Sequence, residues 1–444
     1  MRLIPARAGI AAGLMLAAVA AGHAQGGRCH GGASFEQWLD AFKREALAQG
    51  IGRATLEHAL ADATFDQSIV NKDRGQKVFQ QGFLQFAGRM ADGHRLQAGA
   101  SRIKSNAALF ARIEQQFGVP APVIVAFWGL ETDFGANNGD LPVLRSLVTL
   151  AYDCRRPQMF REELLNALRV IERGDLAPTE MVGAWAGEVG QAQFSPTAYL
   201  KYAVDFDGDG RRDLIHSVSD VLASSANLLA QNGWRRGEPW LQEVRVPSSL
   251  AWEQADLAVK HPRSQWAQWG VTLADGRTLA ADDLQASLLL PMGRLGPAFL
   301  AYQNFHAFLE WNQSLVYATT AAYLATRIAG APRVSPGNGK PSTLTAGQIA
   351  ELQRQLLRQG HDVGKVDGKL GLATRAGVKQ AQLKLGLPAD SYPTPELLSR
   401  LGSGVAAATP RAERAGGAPS QPRTPAPRNS TRPSAAPPQS LQRP

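Results

Sequence analysis

Through residues 31–328 apolar side chains keep returning at helical spacing, and that periodicity limits the chain to a mainly α fold. Ser34-Phe35-Glu36-Gln37 has the form of a capping box, with Ser34 as N-cap and Gln37 three residues on. Phe35, Trp38, Leu39, Phe42 and Leu47 then recur along one helix face. The run 70–90 repeats the pattern through Val78, Phe79, Leu84 and Phe86, and further periodic runs cover 107–117, 160–171, 218–231 and 299–328. One stretch breaks the period. Segment 241–291 carries Val244-Arg245-Val246-Pro247 near its start and closes with Ala286-Ser287-Leu288-Leu289-Leu290 before Pro291. Both pieces are short, apolar and ended by proline, so a small β insert is expected there.

The ends of the chain set its compartment. Arg2 and Arg7 precede an apolar run over 8–21, and Gly22-His23-Ala24 offers a small-x-small cleavage site. Residues 1–24 therefore read as a secretory signal peptide, since the run is short for a membrane span. An uncleaved anchor is the competing reading. A soluble, exported, periplasmic mature protein without a stable membrane span is expected. The two cysteines, Cys29 and Cys154, both fall in the exported part. In an oxidising compartment such a pair forms a disulfide, and two unrelated buried thiols are the alternative. Residues 329–343 are rich in Pro, Gly and Ser and read as a linker. Residues 344–402 are periodic again, and 403–444 form a Pro-, Ala- and Arg-rich tail expected to be disordered. The tail carries six arginines against one acid, so it supplies +5 of a net charge of +9. A basic balance favours anionic partners. The chain has no aromatic-interleaved basic stripe, so nucleic acid is not expected.

The segment Val119-Pro120-Ala121-Pro122-Val123-Ile124-Val125-Ala126-Phe127-Trp128-Gly129-Leu130-Glu131 carries the chemistry. Its prolines suit a helix start. Eight uncharged residues follow, and Glu131 arrives at their end. A carboxyl group there is partly desolvated, which favours its protonated form and suits a general acid. A glutamate that only pairs locally near a helix end is the other reading of this segment alone. Asp133, two residues on, faces another side of a helix and is a poor cooperating carboxylate.

The run Phe127-Trp128-Gly129-Leu130-Glu131-Thr132-Asp133-Phe134-Gly135 resembles the catalytic glutamate motif of the membrane-bound lytic transglycosylase B family. Asp73-Arg74 with Gln76 and Phe79, the segment Tyr152-Asp153-Cys154-Arg155-Arg156-Pro157, Gly183-Ala184-Trp185-Ala186-Gly187-Glu188-Val189-Gly190-Gln191-Ala192-Gln193-Phe194, and Glu310-Trp311-Asn312-Gln313-Ser314-Leu315-Val316-Tyr317-Ala318 resemble further signatures in the same order. The resemblance spans about 33–328. It implies a lysozyme-like helical domain that cuts peptidoglycan glycan strands without water, leaving 1,6-anhydro ends. Glu131 would be the single catalytic carboxylate. Gln193 and Phe194 would line the saccharide groove, Tyr317 would sit near the scissile bond beside Trp311, and Arg155 and Arg156 would meet the substrate's carboxylates. The chain departs from the usual pattern at Ala184, at Trp311 and over Phe194-Ser195-Pro196-Thr197. A hydrolytic muramidase on the same scaffold and a non-catalytic wall-binding protein are the alternatives.

Asp205-Phe206-Asp207-Gly208-Asp209-Gly210 matches the opening of an EF-hand loop, with acidic oxygens at positions one, three and five and Gly at six. Arg211 at position seven offers its backbone carbonyl, and position twelve is His216, a poor ligand for a hard cation. Asp213 and Asp220 both offer a closing carboxylate; from the resemblance, Asp220 is expected to close a structural site for Ca2+ or Na+, and an Asp/Gly turn without an ion is the alternative. Residues 344–401 resemble a small three-helix peptidoglycan-binding domain through Leu352-Gln353, Leu356, Gly360, Val366-Asp367-Gly368, Gly371, Thr374, Val378 and Leu387. Leu352, Leu356 and Val378 are expected in its core, and Thr374 as a helix cap. The implied partners are peptidoglycan glycan strands and other cell-wall enzymes.

Overall fold

The computed structural model describes residues 29–75 and 81–403. The expected signal peptide, the tail beyond 403, and Gln76, Val78 and Phe79 lie outside these residues. Ser34 caps the helix Phe35–Ala48 in a full capping box: its Oγ accepts from Gln37 N at 3.3 Å, and Gln37 Oε1 accepts from Ser34 N at 3.0 Å. The runs 107–117 and 218–231 are the helices Ala107–Phe117 and Val218–Gln231, and 160–171 lies inside Pro157–Glu172. The run 70–90 contributes to two helices, Gln67–Arg74 and Phe83–Met90.

The centre of the larger domain is the helix Ala121–Thr132. Val123, Ile124, Val125, Ala126 and Phe127 are all 0% exposed. A helix without a polar face has nothing to leave in water, so it is packed on every side. It lies against Gly93–Ser105, Ala107–Phe117, Val218–Gln231 and Leu315–Ile328. Gly99 lets one neighbour close in, because a Cβ there would already stand 3.0 Å from Val125 Cγ1.

The run 299–328 is not one helical unit. Ala298–Ala301 is a strand, followed by the helices Gln303–Trp311 and Leu315–Ile328. All four strand residues are buried, and the strand pairs antiparallel with Leu241–Arg245 on one side and Gln285–Leu289 on the other. The β insert therefore runs past 291. Its strands stand in the order His261–Pro262, Gln285–Leu289, Ala298–Ala301, Leu241–Arg245 and Thr272–Leu273. Val244, Leu288, Leu290, Leu300 and Trp266 form its own small core.

Residues 329–343 are held against this insert: Ser335 N donates to Glu243 Oε1 at 2.8 Å, and Gly339 N donates to Leu295 O at 2.9 Å. The C-terminal module consists of Ala346–Arg358, Leu372–Lys384 and Pro395–Gly402, around Leu352, Leu356, Val378 and Leu397, each 0% exposed. Thr374 is not a cap. Gly371 occupies the N-cap, while Thr374 is buried within the helix, accepting from Gln353 Nε2 at 3.1 Å and donating to Val363 O at 3.3 Å. The module is docked through buried polar groups. Arg375 donates to the Leu290 and Pro291 carbonyls, Lys379 Nζ lies 2.8 Å from Asp256 Oδ2, and Arg294 N donates to Asp390 Oδ2 at 3.0 Å. At the other end, Cys29 and Cys154 form a disulfide with a Cα–Cα distance of 5.4 Å, tying the first described residue to the segment that carries Arg155 and Arg156.

Candidate active site

Glu131 occupies the last turn of the central helix, where the chain must leave a fully buried path. Asp133 and Phe134 take left-handed conformations at φ 49° and 65°, followed by Gly135 at φ 85°. Phe134 folds back over Gly129, where a Cβ would meet its ring at 2.9 Å. Asp133 is the helix C-cap, its N–H donating to Gly129 O at 3.2 Å, and its carboxylate pairs with Arg95, whose Nε also donates to Gly129 O at 3.0 Å. It is therefore spent on holding the helix end.

The 183–194 segment is stitched to this end by Gln191, whose Oε1 accepts from Trp128 Nε1 at 2.9 Å and whose carbonyl accepts from Thr132 Oγ1 at 2.7 Å. The stitch brings Gln193 and Phe194 beside Glu131. Gln193, at φ 50°, donates from Nε2 to Asn138 O at 3.0 Å and Gly190 O at 2.9 Å. Phe194 meets Trp311 edge to face with centroids 5.7 Å apart, and Trp311 stacks on Phe127 at 4.1 Å.

Both donors to Glu131 come from the late segment and reach the same oxygen. Trp311 Nε1 donates to Glu131 Oε1 at 2.8 Å, and the Tyr317 hydroxyl donates to it as well. Oε2 has no hydrogen-bond partner among the described residues, so a proton on this acid belongs there. Burial pushes the Glu131 carboxyl up to about 7, against the two hydrogen bonds, which favour its ionised form. The negative charge of Glu188 pushes the same way as burial.

Glu131 borders a cavity of ≈ 540 Å³ lined also by Trp185, Glu188, Gln193, Phe194, Trp311 and Asn312. Tyr317 lies behind the carboxyl, 7% exposed. Arg155 and Arg156 are not among the cavity's lining residues. Both guanidinium groups pair with Asp73, which is 1% exposed, and their own side chains are 47% and 33% exposed. Glu188, Trp185 and Asn312 are site residues that the sequence alone does not single out. They stand inside the quoted motifs, but their inward direction is set by the bridges Gly183↔Val189 and Val189↔Phe194 and by a helix end at Asn312. A larger cavity of ≈ 750 Å³ lies between the helical domain and the C-terminal module, with His306, Glu310 and Asn312 on one wall and Lys365, Asp367 and Lys369 on the other. It shares Glu310 and Asn312 with the Glu131 cavity.

In the acidic loop, one oxygen from each of Asp205, Asp207 and Asp209 falls within 4.8 Å of the others. Asp220 is not in that group. It is fully buried, and its carboxylate accepts from Phe206 N at 2.7 Å and Asp213 N at 2.9 Å. It clasps the loop's backbone, because burial makes the N–H groups its nearest compensation, and it feels the negative charge of Asp207. Asp207 Oδ2 accepts from Ser217 Oγ at 2.5 Å, which holds its carboxyl below the usual range. Arg211 N donates to Asp209 Oδ1 at 2.8 Å.

Residues 34–326 match the family described as Transglycosylase SLT domain, and residues 345–401 match the putative peptidoglycan binding domain. The chain is 32% identical over 220 residues to the membrane-bound lytic murein transglycosylase B of Escherichia coli strain K12, covering 49% of this chain and 59% of that relative. It thus spans little more than half the length of that relative. Its structure is similar to Pseudomonas aeruginosa SltB3 in complex with NAG-anhNAM-pentapeptide, with a TM-score of 0.78, 42% identity, and coverage of 84% of this chain and 100% of that one. It is also similar to the Escherichia coli lytic transglycosylase Slt35 in complex with calcium, with a TM-score of 0.57, 27% identity, and coverage of 68% and 95%.

Proposed function

The chain belongs to the Transglycosylase SLT domain family, and from that premise we propose that it is a lytic transglycosylase cleaving the β-1,4 bond between N-acetylmuramic acid and N-acetylglucosamine in peptidoglycan. The observation that carries this reading is Glu131: a carboxyl held protonated by burial, anchored through Oε1, with Oε2 left for the cavity. Glu131 Oε2–H gives its proton to the glycosidic oxygen as the bond to the muramyl C1 breaks, and the N-acetylglucosamine side leaves with that oxygen as a hydroxyl. The muramyl acetamido group assists at C1. The carboxylate then takes the proton of the muramyl C6 hydroxyl, whose oxygen bonds to C1 and closes the 1,6-anhydro ring. No water is consumed. The nucleophile belongs to the sugar itself, which gives it a high effective concentration. The anhydro ligand of SltB3 is of the expected product class.

Gln193, Phe194 and Trp311 line the groove for the sugars, with Tyr317 and Trp311 orienting the acid. The exposed faces of Arg155 and Arg156 meet carboxylates of the stem peptide outside the cavity. The C-terminal module adds a second wall for peptidoglycan. Asp205, Asp207 and Asp209, with the Arg211 carbonyl, hold a structural Ca2+ or Na+. The hard-oxygen donor set fits such an ion, and Slt35 binds calcium. Its charge braces the loop and takes no part in the reaction. Export to the periplasm follows from the first 24 residues and the substrate; no helix among the described residues is long and apolar enough to cross a membrane.

Mass spectrometry of muropeptides released from purified sacculi tests the reaction. Products one water lighter than reducing muropeptides, absent with Glu131→Gln, are expected. Reducing ends that depend on Glu131 would make the protein a muramidase instead.

A further inference from the structure

Glu188 is a second carboxyl bordering the Glu131 cavity, and the reaction above gives it no proton to move. Its backbone is fixed from both sides. Ala184 N donates to Glu188 O at 2.9 Å, and Val189 pairs with both Gly183 and Phe194. Gly187 just before it sits at φ 95°, where a Cβ would come within 2.4 Å of Leu147. The turn fixes where the Glu188 side chain leaves the backbone, and that side chain lines the cavity, partly buried.

Burial holds the Glu188 carboxyl above the ordinary range, against opposing neighbours. Burial and the charge of Glu163 disfavour its ionised form, while the N–H groups of Glu188 and Ala186 and the charge of Arg156 favour it. Glu163 is itself engaged by Thr197 N at 2.9 Å, and Arg156 by Asp73. The cavity lining holds Glu131, Glu188, Glu310 and Tyr202 as its titratable groups, and neither Lys nor Arg. Tyr317 approaches Glu131 from behind. A pocket walled by carboxyls without a cation suits a ligand that becomes positive. Glycosidic cleavage passes through an oxocarbenium-like transition state, and fixed charges in a water-poor site stabilise such a state strongly.

We propose that Glu188 is the positioning carboxylate of this site, supplying fixed negative charge toward the sugar ring that turns cationic as the glycosidic bond breaks. It exchanges no proton and forms no bond. The same charge favours the acid form of Glu131, and an ionised Glu188 beside a protonated Glu131 is the state that acts; burial of Glu188 moves the acid limb above that of an ordinary carboxyl. Two coupled carboxyls of this kind give a bell-shaped pH profile that belongs to the pair. The inference rests on the transglycosylase reading.

The test is anhydro-muropeptide release by the full mature chain from sacculi between about pH 4 and 9, for wild type, Glu188→Gln and Glu188→Asp. Thermal melts correct each rate for folded protein. Glu188→Gln is expected to lower kcat by about tenfold or more with KM little changed. Its acid limb flattens, and its basic limb moves to lower pH because Glu131 loses a like-charged neighbour. Glu188→Asp restores part of the rate and the bell shape. A Gln variant with wild-type kcat and profile overturns the proposal. So does a loss that tracks lost folded protein while the profile stays in place. If the wild type releases no anhydro products, the transglycosylase reading fails first, before any variant is compared.

Discussion

The carboxyl of Glu131 and those of Asp205, Asp207 and Asp209 are one functional group held in opposite surroundings. Glu131 ends a helix whose middle five residues have no exposure, and burial carries it to about 7 even against two hydrogen-bond donors. Asp207 and Asp209 stand in water, and the Ser217 and Ser219 hydroxyls hold Asp207 below its ordinary range. One site excludes water and keeps a proton. The other sets hydroxyl donors against Asp207, which favours its ionised form and suits a hard cation. The difference is the cost of desolvating charge, and the number of acids nearby does not set it.

If burial marks Glu131 as the acid, its replacement has the largest effect in the molecule. Glu131→Gln should cut anhydro-muropeptide release on the order of a thousandfold or more while leaving the fold intact by circular dichroism. Retention of a tenth of wild-type release would break the assignment. The same variant tests burial by a route independent of activity. Folded Glu131 holds its proton to about 7, whereas an unfolded chain releases it near the ordinary value of 4.5. Between those pH values the folded state binds more protons, so wild-type stability falls as pH rises through the window. Glutamine escapes that loss. Glu131→Gln should therefore be more stable than wild type at pH 8, by up to about 3 kcal/mol, and nearly equal to it near pH 4, as urea titrations at the two pH values would show. Equal stability at both would mean that the carboxyl is better solvated than the structure shows.

The acidic loop should respond to a cation and not to such protonation. Millimolar Ca2+ at pH 7 is expected to raise Tm, with a stabilisation of about 1.4 kcal/mol when its concentration is ten times Kd. Asp207→Asn should abolish the response. Asp220 sharpens the point, because its carboxylate already serves two backbone N–H groups. Asp220→Asn should lower Tm with or without the ion. A variant that loses only the Ca2+ response would return Asp220 to the ligand set.

Much of this contrast was legible in the sequence, for a local reason. Eight uncharged residues followed by a glutamate describe their own burial, and Asp-x-Asp-x-Asp-Gly describes its own turn. What escaped depends on partners far away in the chain. Segment 299–301 reads as the start of a helical run until Leu241–Arg245 and Gln285–Leu289 flank it. Thr374 looks like a cap until Gln353 and Val363 claim its hydroxyl. Arg155 and Arg156 resemble a free cationic pair, but both are drawn onto the buried Asp73, some eighty residues earlier. Glu188 has no periodic signature at all, since a bridged turn and not a helix face aims it.

The smallest expected effect separates the two forces acting on Glu131. Tyr317 donates to Oε1 and favours the ionised form, opposing burial. Tyr317→Phe keeps the ring and removes the donor. Burial then acts against Trp311 alone, so the carboxyl should hold its proton longer. A hydrogen bond to a charged group is worth about 1.5–3 kcal/mol, and one pH unit is about 1.4 kcal/mol. The basic limb of the rate profile should therefore move up by about one unit, with a modest loss of kcat from a less firmly oriented acid. A shift in the other direction would mean that the hydroxyl serves the protonated carboxyl, and that burial by itself does not keep Glu131 an acid.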